Sequence, residues 1–180
     1  ELPFGTGKRW ATTGPVSAII GGWQVNGIMS RLSGTPFTVT SSGTSLNAPG
    51  NTQTADQVKA DVKILGKIGR GESYFDPSAF APVTAVRYGT VGRNTLRGPG
   101  VFNIDASLFR NFKLTERFSL QFRSEVFNLT NTPAFNNPGA NVSSPTRNAD
   151  GSIINLNGYT EITSAAGTER QFRFALKLLF

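Results

Sequence analysis

VFNIDASLFRNFKLTERFSLQFRSEVFNL, Val101 to Leu129, consists of two alternating runs separated by a short polar break. In the first run Phe102, Ile104, Ala106, Leu108, Phe112 and Leu114 share one parity, interrupted only by Arg110. Asn103, Asp105, Ser107, Asn111 and Lys113 share the other, with Phe109 as its exception. In the second run Phe118, Leu120, Phe122 and Val126 alternate with Ser119, Gln121, Arg123 and Glu125. A period of two is that of a β-strand with one apolar and one polar face. The break at Thr115 and Glu116 is short enough to predict an antiparallel hairpin. Both runs exceed the ~5–6 residues usual for strands of globular sheets.

The pattern recurs at the end of the chain, in RQFRFALKLLF, Arg170 to Phe180. Phe172, Phe174, Leu176, Leu178 and Phe180 alternate with Gln171, Arg173, Ala175 and Lys177, and Leu179 is the exception. Upstream, GGWQVNGIMSRLSGTPFTVTS predicts a long strand over about 22–41, with Trp23, Val25, Met29, Phe37 and Val39 on one parity and Ile28 and Leu32 opposite. Gly34 and Pro36 signal a bulge or an exit from the ladder. The predicted strands are therefore 22–41, 100–114, 117–129 and 169–180, preceded by ELPFG as the end of a further strand. Pro15 predicts a helical turn. The connections 42–99 and 130–168 have the Gly, Asn, Ser and Thr content of exposed loops, with a short strand expected at DVKIL (Asp61–Leu65) and a helical turn at DPSAF (Asp76–Phe80). Two such long connections are unusual in a compact domain.

Composition narrows the chemistry. The 180 residues carry a net charge of +7, but the Lys and Arg residues are scattered and form no basic arm, so no nucleic-acid partner is expected. There is no cysteine and no histidine, which removes disulfides, thiolates, the commonest general base and the commonest metal ligand. No catalytic, cofactor-binding or metal site can be assembled, and the chain is not expected to be an enzyme. With 20 glycines and 14 phenylalanines, the composition favours strands and turns, hence an all-β protein. FGTGKRW lacks the spacing of a phosphate loop and reads as a glycine-rich turn. The Asn-x-Ser/Thr patterns at Asn128 and Asn141 carry no information in so Asn-rich a chain. No run reaches the ~18 apolar residues of a transmembrane helix, a test to which barrel strands are blind. Starting at Glu1 with no Met, the chain reads as a piece of a longer one.

ELPFGTGKRW, GGWQVNGIMSRLSGTPFTV, YFDPSAFAPV, GRNTLRGPGVFNIDASLFRNFKL, LQFRSEVFNLTNTPAFNNP and RQFRFALKLLF, in that order, resemble the C-terminal barrel portion of TonB-dependent outer-membrane receptors. The nearest group is the Oar-like one with a carboxypeptidase-regulatory-like domain. The resemblance implies an antiparallel transmembrane β-barrel segment, the last five or so strands of a barrel of about 22, with long extracellular loops. It implies import of a bulky solute, of the siderophore, oligosaccharide or peptide class, with the plug and the earlier strands lying outside this chain. The implied partners are outer-membrane lipid, the rest of the barrel and plug, TonB through the N-terminal part, and the outer-membrane assembly machinery. That machinery reads alternating apolar residues before a terminal aromatic, which here are Phe172, Phe174, Leu176, Leu178 and Phe180. Asn103, Asp105, Arg123 and Glu125 become candidates for the lumen face, where the simplest reading is cross-strand charge pairing. An adhesin or structural barrel, and a secreted β-sandwich binding module, are the alternatives.

Overall fold

The computed structural model describes residues 1–5, 7–10, 12–48 and 50–180. Thr6, in the glycine-rich FGTGKRW turn, lies outside them. The strands are β1 (Trp23–Leu32), β2 (Pro36–Phe37), β3 (Asp56–Gln57), β4 (Phe80–Ala81), β5 (Leu96–Arg97), β6 (Val101–Lys113), β7 (Ser119–Phe127), β8 (Thr146–Arg147), β9 (Ile153–Asn155) and β10 (Gln171–Leu179). One short α-helix, α1 (Gly14–Ile20), precedes them. The chain divides into two compact units. One comprises Glu1–Arg31, Phe102–Thr132 and Thr168–Phe180; the other comprises Leu32–Val101 and Pro133–Gly167.

The first unit is a sheet in the order β1-β6-β7-β10, with β6–β7 and β7–β10 antiparallel. Its strands run 10, 13, 9 and 9 residues, close to the ~9–11 that a tilted strand needs to cross a bilayer. The register keeps parity across three strands. Val126 lies between Ala106 and Phe172, Ser124 between Leu108 and Phe174, Phe122 between Arg110 and Leu176, and Leu120 between Phe112 and Leu178. A slip of one residue in either ladder would turn one strand's apolar set to the opposite face. Trp23 joins the same face, its ring edge-on to Phe112 and Phe122 at 6.5 and 6.0 Å. The β6–β7 turn is closed by Leu114 and Thr115 N–H groups donating to Phe118 O, and by Thr115 Oγ1 accepting from Phe118 N–H. Leu2 N–H donates to Trp23 O at 2.9 Å, so the ELPFG stretch touches the start of β1.

β1 stops at Leu32 and not at Ser41, and the cause is a backbone contact. A Cβ on Gly34 would lie 1.7 Å from Gly98 O, so the two main chains meet where only glycine fits. Arg97 Nη1 also donates to Gly34 O at 3.1 Å. Beyond this crossing the chain begins β2, which pairs with β5 through Pro36–Arg97 and Phe37–Leu96. Pro36, lacking an N–H, sits at the first residue of a two-residue strand, where the loss to the ladder is small.

The second unit corrects the reading of 42–99 and 130–168 as plain exposed loops, because these segments enclose a core. Phe75 is fully buried and packs against Phe37, Phe80 and Tyr159, with ring centroids 5.9, 5.9 and 5.6 Å away. Val39, Ala55, Val142 and Ile162 complete the interior. The two segments are stitched by main-chain bonds, including Thr40 N–H to Ala140 O at 2.8 Å and Tyr74 N–H to Thr160 O at 2.8 Å. Asp61–Leu65 forms no strand; Ile64 makes an isolated bridge to Phe75. DPSAF forms the expected turn, a 3-10 helix over Pro77–Ala79 whose cap Asp76 accepts from Ser78 N–H.

Candidate functional site

The polar face of the sheet collects Ser107, Asn111 and Lys113 from β6, Ser119, Gln121, Arg123 and Glu125 from β7, and Arg173 and Lys177 from β10. Phe109, Phe127, Ala175 and Leu179 are its apolar members. Gln121 Nε2 donates to Asn111 Oδ1 across the ladder at 2.9 Å. Arg123 and Glu125 do pair, at 2.6 Å, but along one strand at i, i+2 and not across strands as expected. Residues two apart on a strand point to one face, so both side chains remain on the polar side. Glu125 also faces Arg173 in the register, and the Arg173 guanidinium lies 4.8 Å from the centre of the Phe127 ring. The arrangement is a polar row with a cationic excess, in which Lys113, Arg123, Arg173 and Lys177 share the face with the carboxylate of Glu125.

Asp105 has a different role from Arg123 and Glu125. Its Oδ1 accepts from Asn103 Nδ2 at 2.9 Å and from the Asn128 main-chain N–H at 2.8 Å. Two of the four lumen candidates, Asn103 and Asp105, thus meet at a structural joint. Its centre is Asn128, which follows β7 with φ of 51°, a left-handed conformation that Asn tolerates better than most residues. Asn128 Nδ2 donates to Thr132 O at 3.2 Å and Thr168 O at 3.1 Å, and its Oδ1 accepts from Thr132 N–H at 3.0 Å. This side chain closes the base of the segment that leaves after Thr132 and returns at Thr168. Its one sequence signal was an Asn at the end of an alternating run, with Thr four residues on.

In the second unit a cleft of about 800 Å³ is lined by Arg70, Ile153, Ile154, Asn155, Asn157 and Glu161, among others. Glu161 is buried, and its carboxylate accepts from Gly71 N–H and from Gly158 N–H. A carboxylate that accepts from two main-chain donors ties the loops around Gly71 and Gly158 together. Asp56 is held below the usual carboxylate range by its bidentate bonds from Arg87, both 2.8 Å, with partial burial opposing and Thr90 N–H assisting. Burial pushes the Tyr159 hydroxyl up.

The last strand leaves its apolar row uncovered: Phe172, Phe174, Leu176 and Leu178 are exposed, and Phe180 is 95% exposed. On the opposite parity Arg173 and Lys177 face β7 residues Glu125 and Gln121. Exposed rings in so regular a row belong against an apolar medium or another protein surface. A family model described as Outer membrane beta barrel domain matches residues 1–173. No curated protein and no solved structure matches the chain.

Proposed function

The chain belongs to the Outer membrane beta barrel domain family, and on that premise we propose that it is the closing, non-catalytic part of the barrel of a TonB-dependent receptor. It is an all-β protein of the bacterial outer membrane, so its lipid environment follows directly. The observation that supports a barrel wall is the shared parity of β6, β7 and β10, which sorts one apolar and one polar face over three consecutive strands; the receptor assignment rests on the resemblance of the sequence. In this reading the even face meets lipid, and Arg123 and Glu125 line the lumen. Asn103 and Asp105 stand at the rim where the long segments depart, and those segments form a folded extracellular unit. Import of a siderophore, oligosaccharide or peptide rests on the receptor resemblance. The energy-coupling residues belong to the plug and the TonB-contact segment, which this reading assigns to the preceding part of the receptor.

Energy coupling separates this reading from an adhesin or passive barrel. In cells carrying the intact protein, uptake of its solute is expected to stop on removal of TonB or collapse of the proton gradient, while binding at the cell surface persists. Uptake indifferent to both treatments would exclude an energised receptor. A second expectation concerns Phe180, one of the alternate apolar residues that the receptor resemblance makes an assembly signal. Such a signal acts before insertion, so Phe180→Ser should strand the protein in the periplasm and lower outer-membrane abundance. Protein that does insert should melt close to the parent. Unchanged abundance with a lowered melting temperature would make Phe180 a packing residue.

A further inference from the structure

Helix α1 has its polarity reversed for a water-facing helix. It spans seven residues, buries Ser17, and leaves Val16 and Ile19 55% and 69% exposed. Val16, Ile19 and Ile20 fall at i, i+3 and i+4, a single apolar stripe. A stripe of this kind turned outward from its own sheet is expected where the surrounding medium is lipid.

A cation holds the helix in place. Arg110 is the one charged residue among the even-numbered positions of β6, with Phe122 and then Leu176 as its ladder neighbours. Its Nη1 donates to Ile19 O at 2.6 Å and its Nη2 donates to Ala18 O. Trp23 Nε1 donates to Ile19 O at 3.1 Å. The guanidinium also stacks near Phe112 and Trp23, 4.5 and 5.6 Å from the ring centres. The last carbonyls of a helix have no intrahelical donors and carry partial negative charge. Arg110 satisfies two of them, and its own charge is hydrogen-bonded and faces the negative end of the helix, on a face where an unpaired charge would be costly. Arg110 lies three residues before the end of β6 at Lys113, or about 10 Å along the strand, a depth suited to an interfacial belt. At the same end a second cation–aromatic pair, Arg9 over Trp10 at 5.4 Å, leaves Trp10 exposed. Tryptophan and arginine are the residues that settle at headgroup level.

We propose that α1 is an interfacial anchor, lying in the headgroup–acyl boundary of the leaflet nearest the Lys113–Ser119 turn, with Val16 and Ile19 among acyl chains and Arg110 as its pin. The partner is the phospholipid surface itself. This rests on the reading that the even face of the sheet meets lipid, and the test separates the two.

The intact protein is folded into phosphatidylcholine vesicles with single spin labels, for which these 180 residues supply a cysteine-free background. Labels are placed at Val16→Cys, Ile19→Cys, Leu176→Cys and Glu116→Cys, and collisions with oxygen and with a water-soluble nickel chelate are compared. Labels at 16 and 19 are expected to prefer oxygen, as at 176, while the label at 116 prefers nickel. Arg110→Ala should remove the oxygen preference at 16 and 19 and leave that at 176 intact. If Arg110→Ala does not assemble, Arg110→Lys, which cannot fork onto both carbonyls, takes its place with the same expected direction. Nickel preference at 16 and 19 with oxygen preference at 176 would overturn the anchor alone. Nickel preference at 176 would overturn the lipid-face reading with it. Labels at 16 and 19 that stay in lipid after Arg110 is replaced would overturn the pin.

Discussion

Phe75→Ala is expected to destabilise the Leu32–Val101 and Pro133–Gly167 unit by about 3–5 kcal/mol, the cost of emptying a fully buried phenylalanine site. Phe75 touches three other rings drawn from both segments, Phe37 and Phe80 from one and Tyr159 from the other. Surrounding side chains cannot close the void without breaking the edge-to-face contacts to Phe80 and Tyr159, each a modest gain beyond area burial. Most small domains are stable by only about 5–15 kcal/mol, so the loss is a large share of the unit's stability. The sheet should be spared, because the rings against which Phe75 packs all belong to its own unit. Hydrogen exchange in the folded full-length protein should show lost protection at Thr40, Ala55, Tyr74 and Val142 amides, with β6 and β7 unchanged. Undiminished protection in those loop amides would mean that the segments are held by something other than this core.

Phe174→Arg should have the next largest effect, about 2–4 kcal/mol against insertion if the even face meets lipid. Phe174 lies near the middle of β10, opposite Ser124, which in turn faces Leu108. Leu120→Arg serves as the depth control. Leu120 is the second residue of β7, next to the turn, where the same charge costs only ~0–1 kcal/mol near the interface. Ser107→Arg places the charge near the middle of β6 on the polar face, directly opposite Glu125, and should be tolerated. Denaturant titration in vesicles measures all three. A Ser107→Arg penalty equal to that of Phe174→Arg would remove the facing assignment.

What could be read in advance is a matter of range. The alternation in β6, β7 and β10 is local, and the ladders keep it, so the apolar face was visible residue by residue. Arg110 was visible as an interruption, but its reason was not, because the carbonyls it binds lie 91 and 92 residues upstream, at Ile19 and Ala18. The end of β1 depended on Gly34 meeting Gly98, a contact that strand periodicity does not encode. Val39 fell on the alternation of 22–41, but the core residues Ala55, Val142 and Ile162 each stand among polar neighbours, so no periodic signal marked them. On the polar face, Arg123 and Glu125 were found as charges on one side, whereas the role of Asp105 required knowing where the Asn128 main chain turns.

That joint also separates two kinds of constraint. Asn128 binds both Thr132 and Thr168, so the ends of the intervening excursion are fixed by a clasp that makes no reference to its length. Closing a flexible loop from a fixed base becomes only ~0.6 kcal/mol harder for each doubling of its length. The ladder below, by contrast, allows no slip without exposing a row of phenylalanines on the wrong side. The molecule therefore joins a wall of fixed register to an excursion whose ends are held independently of its length, and residues inserted at the exposed tip around Asn148–Ser152, where a turn is closed by its own side chains, are expected to leave the ladder's register unchanged.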